Sequence, residues 1–334
     1  MIGYYVHHHG VGHLTRACAI AAQLDEEVTG LSSAAPPPGW TGRWLRLARD
    51  DEGATAVAPG AGGALHWAPR GDDGLRERMA QIAAWAATAR PRLVVVDVSV
   101  EVTVLLRTMG VAVVVVGMPG TRHDRPHQLA YRMAEAILAP WPEGLPGLLD
   151  GGERWARKIR AVGAISRFDG READGDGGGG AARRVVVLSG RGGSGLTRAA
   201  LEAAQAATPG WGWTALGPPD DRWVEDPWPL LCAADVVVTH AGQNAIADVA
   251  AARRPAIVVP QERPHGEQRA LARVLERAGL AAVEPAWPEP ARWPALLDAA
   301  VARGGAGWDR WSTAGGGAAR AAAVLADVRA AVMG

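Results

Sequence analysis

The chain has 334 residues, more than one hydrophobic core commonly serves, so its length favours two domains. Hydrophobic residues make up 48% and charged residues 21%, an ordinary globular balance that excludes wholesale disorder. Its 35 basic and 35 acidic side chains cancel, so no global field recruits nucleic acid or an anionic membrane.

No apolar run reaches the roughly eighteen residues that span a bilayer, and no basic segment followed by an apolar core opens the chain, so we expect a cytoplasmic protein. Cys18 and Cys232 lie far apart in apolar stretches and read as reduced core thiols. Short apolar runs at 2–6, 93–96, 112–116, 185–188, 236–239 and 256–259 predict strands. Helical patterns at 14–24, 75–88, 101–109, 243–252 and 267–278 alternate with them. This succession predicts an α/β fold with parallel sheets covered on both faces. Residues 166–182 are nearly devoid of apolar side chains and include four consecutive glycines. We place a flexible linker there, between a first domain at 1–165 and a second at 183–315, with a helix in 316–334 crossing back to the first.

Function in such sheets gathers at the carboxyl ends of the strands, and eight of the nine histidines fall in or beside predicted loops there; His66 stands elsewhere. The first strand runs into His7-His8-His9-Gly10-Val11-Gly12-His13-Leu14-Thr15-Arg16. Two glycines allow a tight turn, and His13 lands at a helix start, where an imidazole can accept a proton from a substrate hydroxyl. His7 and His9 share a strand face, which raises a metal site, but no acid or cysteine follows closely enough to complete it. Asp97, at the end of a strand in the same half, either orients an imidazole or caps the helix near Glu101.

Ser189-Gly190-Arg191-Gly192-Gly193-Ser194-Gly195 follows a strand and precedes a helix, forming an anion cradle. It lacks the downstream acid of a dinucleotide site and the Lys-Ser/Thr of a Walker loop. A second cradle, His240-Ala241-Gly242-Gln243-Asn244, opens the helix that carries Asp248. A nucleoside diphosphate fits both: the diphosphate on the amides and His240, the ribose hydroxyls on the carboxylate. Glu267 and Gln268, at the start of the following helix, are placed either to satisfy its dipole or to grip sugar hydroxyls.

These residues resemble a two-domain glycosyltransferase of the GT-B type, in the group of the peptidoglycan lipid-intermediate N-acetylglucosaminyltransferase and the macrolide and plant nucleotide-sugar glycosyltransferases. The resemblance rests on Gly10–Arg16 and on His240–Asn244 through Pro260 to Glu267-Gln268. It implies two Rossmann-like domains with parallel sheets facing across a cleft. It implies His13 as the base on the acceptor hydroxyl, with Asp97 as its supporting carboxylate. Ser189, Gly190, Gly192, Gly193, Ser194, His240, Gly242, Gln243 and Asn244 match diphosphate-facing positions. Asp248 matches the ribose carboxylate, and Glu267 and Gln268 match the donor-sugar pair. On the acceptor side the candidates are His9, Gly10, Gly12, Arg16 and His123.

The resemblance further implies an inverting displacement that needs no metal or other cofactor, from a UDP or dTDP sugar to an acceptor whose identity is open. A nucleotide-sugar hydrolase and a non-catalytic nucleotide-sugar-binding protein are the alternatives. Trp40, Trp44, Leu45 and Leu47 interleave with Arg43, Arg46 and Arg49, a pattern suited either to peripheral membrane contact or to a packed loop.

Overall fold

The computed structural model describes all residues except 53–55, 173–182, 191–194, 221, 313–314 and 333–334. In chain order the first half carries β1 (Ile2–Val6), α1 (Val11–Ala21), β2 (Val28–Ser32), β3 (Trp44–Arg46), α2 (Asp73–Ala89), β4 (Leu93–Asp97), α3 (Val100–Thr108), β5 (Ala112–Val116), β6 (Gly120–Thr121), α4 (Arg125–Met133), β7 (Ala136–Ala139), β8 (Leu149–Asp150) and β9 (Ile159–Ala161). The second half carries β10 (Arg183–Leu188), α5 (Arg198–Ala207), β11 (Trp211–Leu216), α6 (Trp228–Cys232), β12 (Val236–Thr239), α7 (Gln243–Ala251), β13 (Ala256–Val258), α8 (Glu267–Arg277), β14 (Ala282–Val283), α9 (Trp293–Arg303), α10 (Asp309–Ser312) and α11 (Gly317–Ala331).

Among the described residues two large parallel sheets result, in the orders β3-β2-β1-β4-β5-β7-β9 and β11-β10-β12-β13-β14, and β6 pairs with β8 in a small parallel sheet. The valine runs of β4 and β5 are buried along their whole length, as strands covered by helices on both faces must be. Each large sheet reverses its winding once, at β1 beside β4 and at β10 beside β12, and so opens a crevice at those carboxyl ends. The architecture is that of two Rossmann-like halves.

Several short strands escape a reading by apolar runs. β2 and β11 are interrupted by Gly30 and Gly212, and β3 is an edge strand of three residues. Gly30 makes room for its neighbour, since a Cβ there would lie 2.1 Å from the Trp44 ring. Trp44 donates its indole N–H to Ala34 O at 3.0 Å and meets Trp40 edge-on at 5.0 Å, while Leu47 is buried. The apolar side chains of this segment therefore pack onto the sheet, the packed-loop alternative of the two the sequence offers. Among the described residues no helix is long and apolar enough to cross a membrane.

The expected flexible linker also begins differently. Ser166 and Phe168 are buried, and Phe168 packs against Trp228 at 5.0 Å, so one aromatic side chain anchors the chain where composition suggested a tether. Residues 173–182 lie outside the described residues. Helix α11 buries Ala318, Ala321 and Leu325 with Ile2, Ile20 and Leu138 of the first half, and Arg320 Nε donates to Val162 O at 2.7 Å. Its first residue has no space for a side chain, because a Cβ on Gly317 would stand 2.0 Å from Ala164 O. Gly317→Ala should consequently lower stability by about 1–3 kcal/mol through backbone overpacking, read as a reduced thermal midpoint.

Candidate active site

The first wall of the cleft is built where β1 and β4 end side by side, Val6 paired with Asp97. Gly10 caps α1 with φ at 95°, a turn open to glycine, and brings His13 back over β4. His13 Nδ1 lies 2.9 Å from Asp97 Oδ1. A carboxylate only accepts, so Nδ1 carries the hydrogen and Nε2 keeps its lone pair. Asp97 is fully buried, yet Arg16 reaches both oxygens, with Nη2 at 2.8 and 2.9 Å and Nε at 3.2 Å. Burial pushes the Asp97 carboxyl up, but the charges of Arg16 and His13 and their hydrogen bonds outweigh it and hold the group well below the usual range. Arg16 Nη2 also approaches His13 Nδ1 to 3.1 Å, two hydrogen-bearing nitrogens drawn to one carboxylate.

This geometry decides the reading of Asp97 that the sequence left open. Ser99, not Asp97, caps α3, accepting from Val102 N at 3.2 Å. Arg16, expected among the acceptor-side residues, is the buried partner of Asp97. His7 and His9 do not form a shared ligand face: His7 Nδ1 accepts from His9 N at 3.1 Å, and burial, then the neighbouring imidazoles, lowers the His7 pKa to about 3. His8 and His9 instead turn to Asp51, at 3.4 and 3.1 Å. His9 stays at the exposed rim, and His123 pairs with Asp150 at 3.0 Å rather than joining His13.

The second wall rises from β12. His240 Nδ1 lies 2.8 Å from Val259 O, which places its hydrogen there and leaves Nε2 as an acceptor; burial keeps its pKa below the ordinary value. Gly242 caps α7 without a side-chain bond, and no acid stands in the first turn, so the helix start is left for an anion. Among the described residues the buried Gln243 Nε2 and Ser189 Oγ lack partners. The walls touch here: Asn244 Nδ2 donates to Gly12 O at 2.9 Å and Arg16 Nη1 to Gln243 Oε1 at 3.4 Å.

Of the glycine loop after β10, Ser189 and Gly190 are placed, whereas Gly192, Gly193 and Ser194 lie outside the described residues. Helix α5 starts under its own cap, Thr197 Oγ1 accepting from Ala200 N at 3.1 Å, so its first turn is not part of an open cradle as expected. Asp248 has both oxygens occupied, by Ser166 Oγ at 2.8 Å and Arg167 Nε at 3.1 Å. Its carboxylate thus holds the start of the linker instead of standing open for a ribose. Gln268 also turns inward, accepting from Gln261 N at 2.8 Å. Glu267 does meet the other half, 3.9 Å from Arg122 Nη2; burial raises its pKa while Arg122 and His13 pull it back.

The sequence reading also set His66 apart, and the structure corrects this. His66, His127 and His265 come together, with ring centres 4.4, 4.8 and 5.7 Å apart, around Asp124, which lies 2.6 Å from both His66 Nε2 and His127 Nδ1. Burial, then Arg122, lowers the His127 pKa to about 3. Beside them lies a cavity of about 30 Å³ lined by Met118, Arg122 and Tyr131 as well as His66 and His127. Three separated segments contribute to this group, so no local spacing signals it.

Residues 228–286, from α6 to beyond β14, match the glycosyltransferase family 28 C-terminal domain. No curated protein sequence matches the chain. Among solved structures, the glycosyltransferase of kitacinnamycin is 20% identical with a TM-score of 0.69 over 98% of each chain. MurG of Acinetobacter baumannii is 14% identical with a TM-score of 0.58, covering 99% of this chain and 98% of its own. The spinosyn rhamnosyltransferase SpnG complexed with thymidine diphosphate is 20% identical with a TM-score of 0.53, covering 99% and 96%. At these identities the likeness is one of fold, the GT-B arrangement of two facing Rossmann-like halves. The chain therefore has the GT-B fold, and its segment holding His240, Asn244 and Glu267 matches the glycosyltransferase family 28 C-terminal domain.

The buried Asp248 gives a pH test of this wall. Burial raises its pKa from 3.8 to about 6 despite Arg167, whose side chain is 39% exposed and solvent-screened. For an acid whose folded pKa is raised, the stabilising contribution is present below the unfolded value and lost as pH rises through the folded one. Asp248→Asn removes that titration. Its stability relative to the wild type should therefore improve by on the order of 2 kcal/mol from pH 4 to pH 7 in urea unfolding, the change accumulating between about pH 4 and pH 6 and levelling off above.

Proposed function

We propose that the protein transfers a sugar from a nucleoside-diphosphate donor, UDP- or dTDP-linked, to an acceptor hydroxyl of a small molecule or lipid-linked glycan, with inversion and without a metal on the diphosphate. In this reading residues 1–165 hold the acceptor, residues 183–315 hold the donor, and 316–334 return to the first half. The observation that carries it is the pairing of opposed roles across the cleft. His13, hydrogen-bonded through Nδ1 to Asp97, offers the lone pair of Nε2, and the uncapped start of α7 faces it through the Asn244–Gly12 contact.

As the acceptor oxygen attacks the anomeric carbon, His13 Nε2 takes its proton and the bond to the diphosphate oxygen breaks on the opposite face. Asp97 stabilises the imidazolium so formed. Because Arg16 already bonds both oxygens of Asp97, the carboxylate orients the ring and does not take the proton itself. The leaving diphosphate gains charge where the α7 amides and Gln243 Nε2 have none to meet. Ribose contact by Asp248 uses the lone pair each oxygen keeps beside its bond to Ser166 or Arg167 and requires the buried carboxylate to be uncovered. The nucleotide in the spinosyn rhamnosyltransferase complex supports dTDP as one donor class.

Thermal shifts against UDP, dTDP, GDP, CDP and NAD should show selective stabilisation by UDP or dTDP. Stabilisation by NAD alone would refute the reading. In an assay with that nucleotide's sugar, His13→Ala should lose about 10²–10⁴-fold in transfer rate with nucleotide affinity retained. Donor loss that is as fast without acceptor as with it would instead identify a hydrolase, and an unaltered rate in His13→Ala would remove His13 as base.

A further inference from the structure

The transfer chemistry above makes no use of His66, His127 and His265. His66 lies in the loop before α2, His127 near the start of α4, and His265 in the loop before α8 of the other half. One nitrogen from each lies within 4.8 Å of the other two. We propose that these three imidazoles bind one divalent transition-metal ion with zinc's ligand preference, clamping the loop before α8 to the first half at the rim of the cavity.

Asp124 is the first argument. Its two oxygens face His66 Nε2 and His127 Nδ1, each at 2.6 Å, and a carboxylate that only accepts fixes the hydrogens on those nitrogens. The lone pairs are thereby left on His66 Nδ1 and His127 Nε2, and with ring centres 4.4 Å apart the rings must turn to aim both at one ion. One carboxylate steadying two imidazoles from behind is the support that metal-binding histidines characteristically have. His265 is the second argument: a non-glycine residue at φ 61° and ψ 14°, it holds a left-handed conformation rarely adopted by such residues and brings its ring to the other two.

Three nitrogen ligands favour zinc, cobalt, nickel or copper over magnesium or calcium, and they leave a fourth position for water or a hydroxyl. Bonds of about 2.0–2.1 Å require the rings to draw closer, which His66 and His265, both exposed, can do by rotation. The ion displaces one contact, the 3.4 Å approach of Arg122 Nη1 to His127 Nε2. The other grouping, His8, His9 and Asp51, is weaker, because Arg49 already bonds both Asp51 oxygens at 3.0 and 2.7 Å.

The test is a titration of the chelator-treated full chain with Co(II), followed by visible absorption and by competition with Zn(II). One equivalent should bind with the intense bands of a tetrahedral site, displaced by Zn(II). His66→Ala and His265→Ala should each abolish the bands, Asp124→Asn should weaken binding about 10–100-fold, and His9→Ala should change nothing. Zn(II) should raise the thermal midpoint of the wild type and not of His265→Ala. The His66 variant keeps its loop, which is held by Glu101 Oε1 accepting from the backbone of residues 66 and 67 at 2.8 and 2.9 Å. No bands at stoichiometric Co(II), bands that survive loss of His66 and His265, or bands lost in His9→Ala would each overturn the proposal.

Discussion

A carboxylate stripped of water at the ends of two adjacent strands is the constraint on which the cleft depends. Asp97 is fully buried, and an unpaired charge there would cost several kcal/mol. Arg16 removes that cost, and it does so from the buried stripe of α1, alongside Ala17 and Ile20. The ion pair therefore fixes the rotation of α1. His13, three residues earlier, falls on the same helix face and meets the same carboxylate. Placement of the proposed base is a consequence of satisfying a buried charge. The remaining Arg16 nitrogen touches Gln243, so the same guanidinium also positions the turn opposite.

Helix starts divide into those closed by a side-chain cap and those left without one. Asp72, Ser99 and Thr197 cap α2, α3 and α5 with their own side chains, satisfying amides that would otherwise need a partner. At the cleft, α1, α7 and α8 begin after Gly10, Gly242 and Gly266, with no side-chain cap. Glycine leaves those amides to whatever enters, and at α7 no acid in the first turn offsets the dipole. The charge this wall lacks is the charge a diphosphate carries.

What the sequence made legible was local. Valine-rich strands, helical spacing and the residues contiguous in Gly10–Arg16 and His240–Asn244 can be read because spacing along one element decides where they point. Partnerships between distant segments could not be read. Nothing near residue 248 shows that Ser166 and Arg167 take its carboxylate, and nothing near residue 66 announces His127 or His265. Composition left residues 40–47 open between two readings and misled at the start of the linker. In both places a few aromatic side chains find a partner, Trp44 over Gly30 and Phe168 on Trp228, and outweigh the polar residues around them.

The two sides of the interface between the halves differ in chemistry, and the difference bears on how the cleft works. On the linker side the contact is apolar and continuous: Phe168 against Trp228, Ala164 N bonded to Trp311 O at 3.3 Å, and α11 embedded in the first core. At the mouth it is polar and partly long, with Asn244 on Gly12 at 2.9 Å, Arg16 on Gln243 at 3.4 Å and Arg122 beside Glu267 at 3.9 Å. Polar contacts exchange for water at a net cost of about 0.5–1.5 kcal/mol each, whereas parting the apolar side exposes surface at about 25 cal/mol per Å². Separation at the mouth about a fixed linker side is the motion these energies favour. Asp248 belongs to both sides, since it lies on the helix that begins at the diphosphate turn while its carboxylate grips the linker. A ligand that drew that carboxylate away would loosen the hinge as it filled the cleft, coupling donor entry to the angle between the halves.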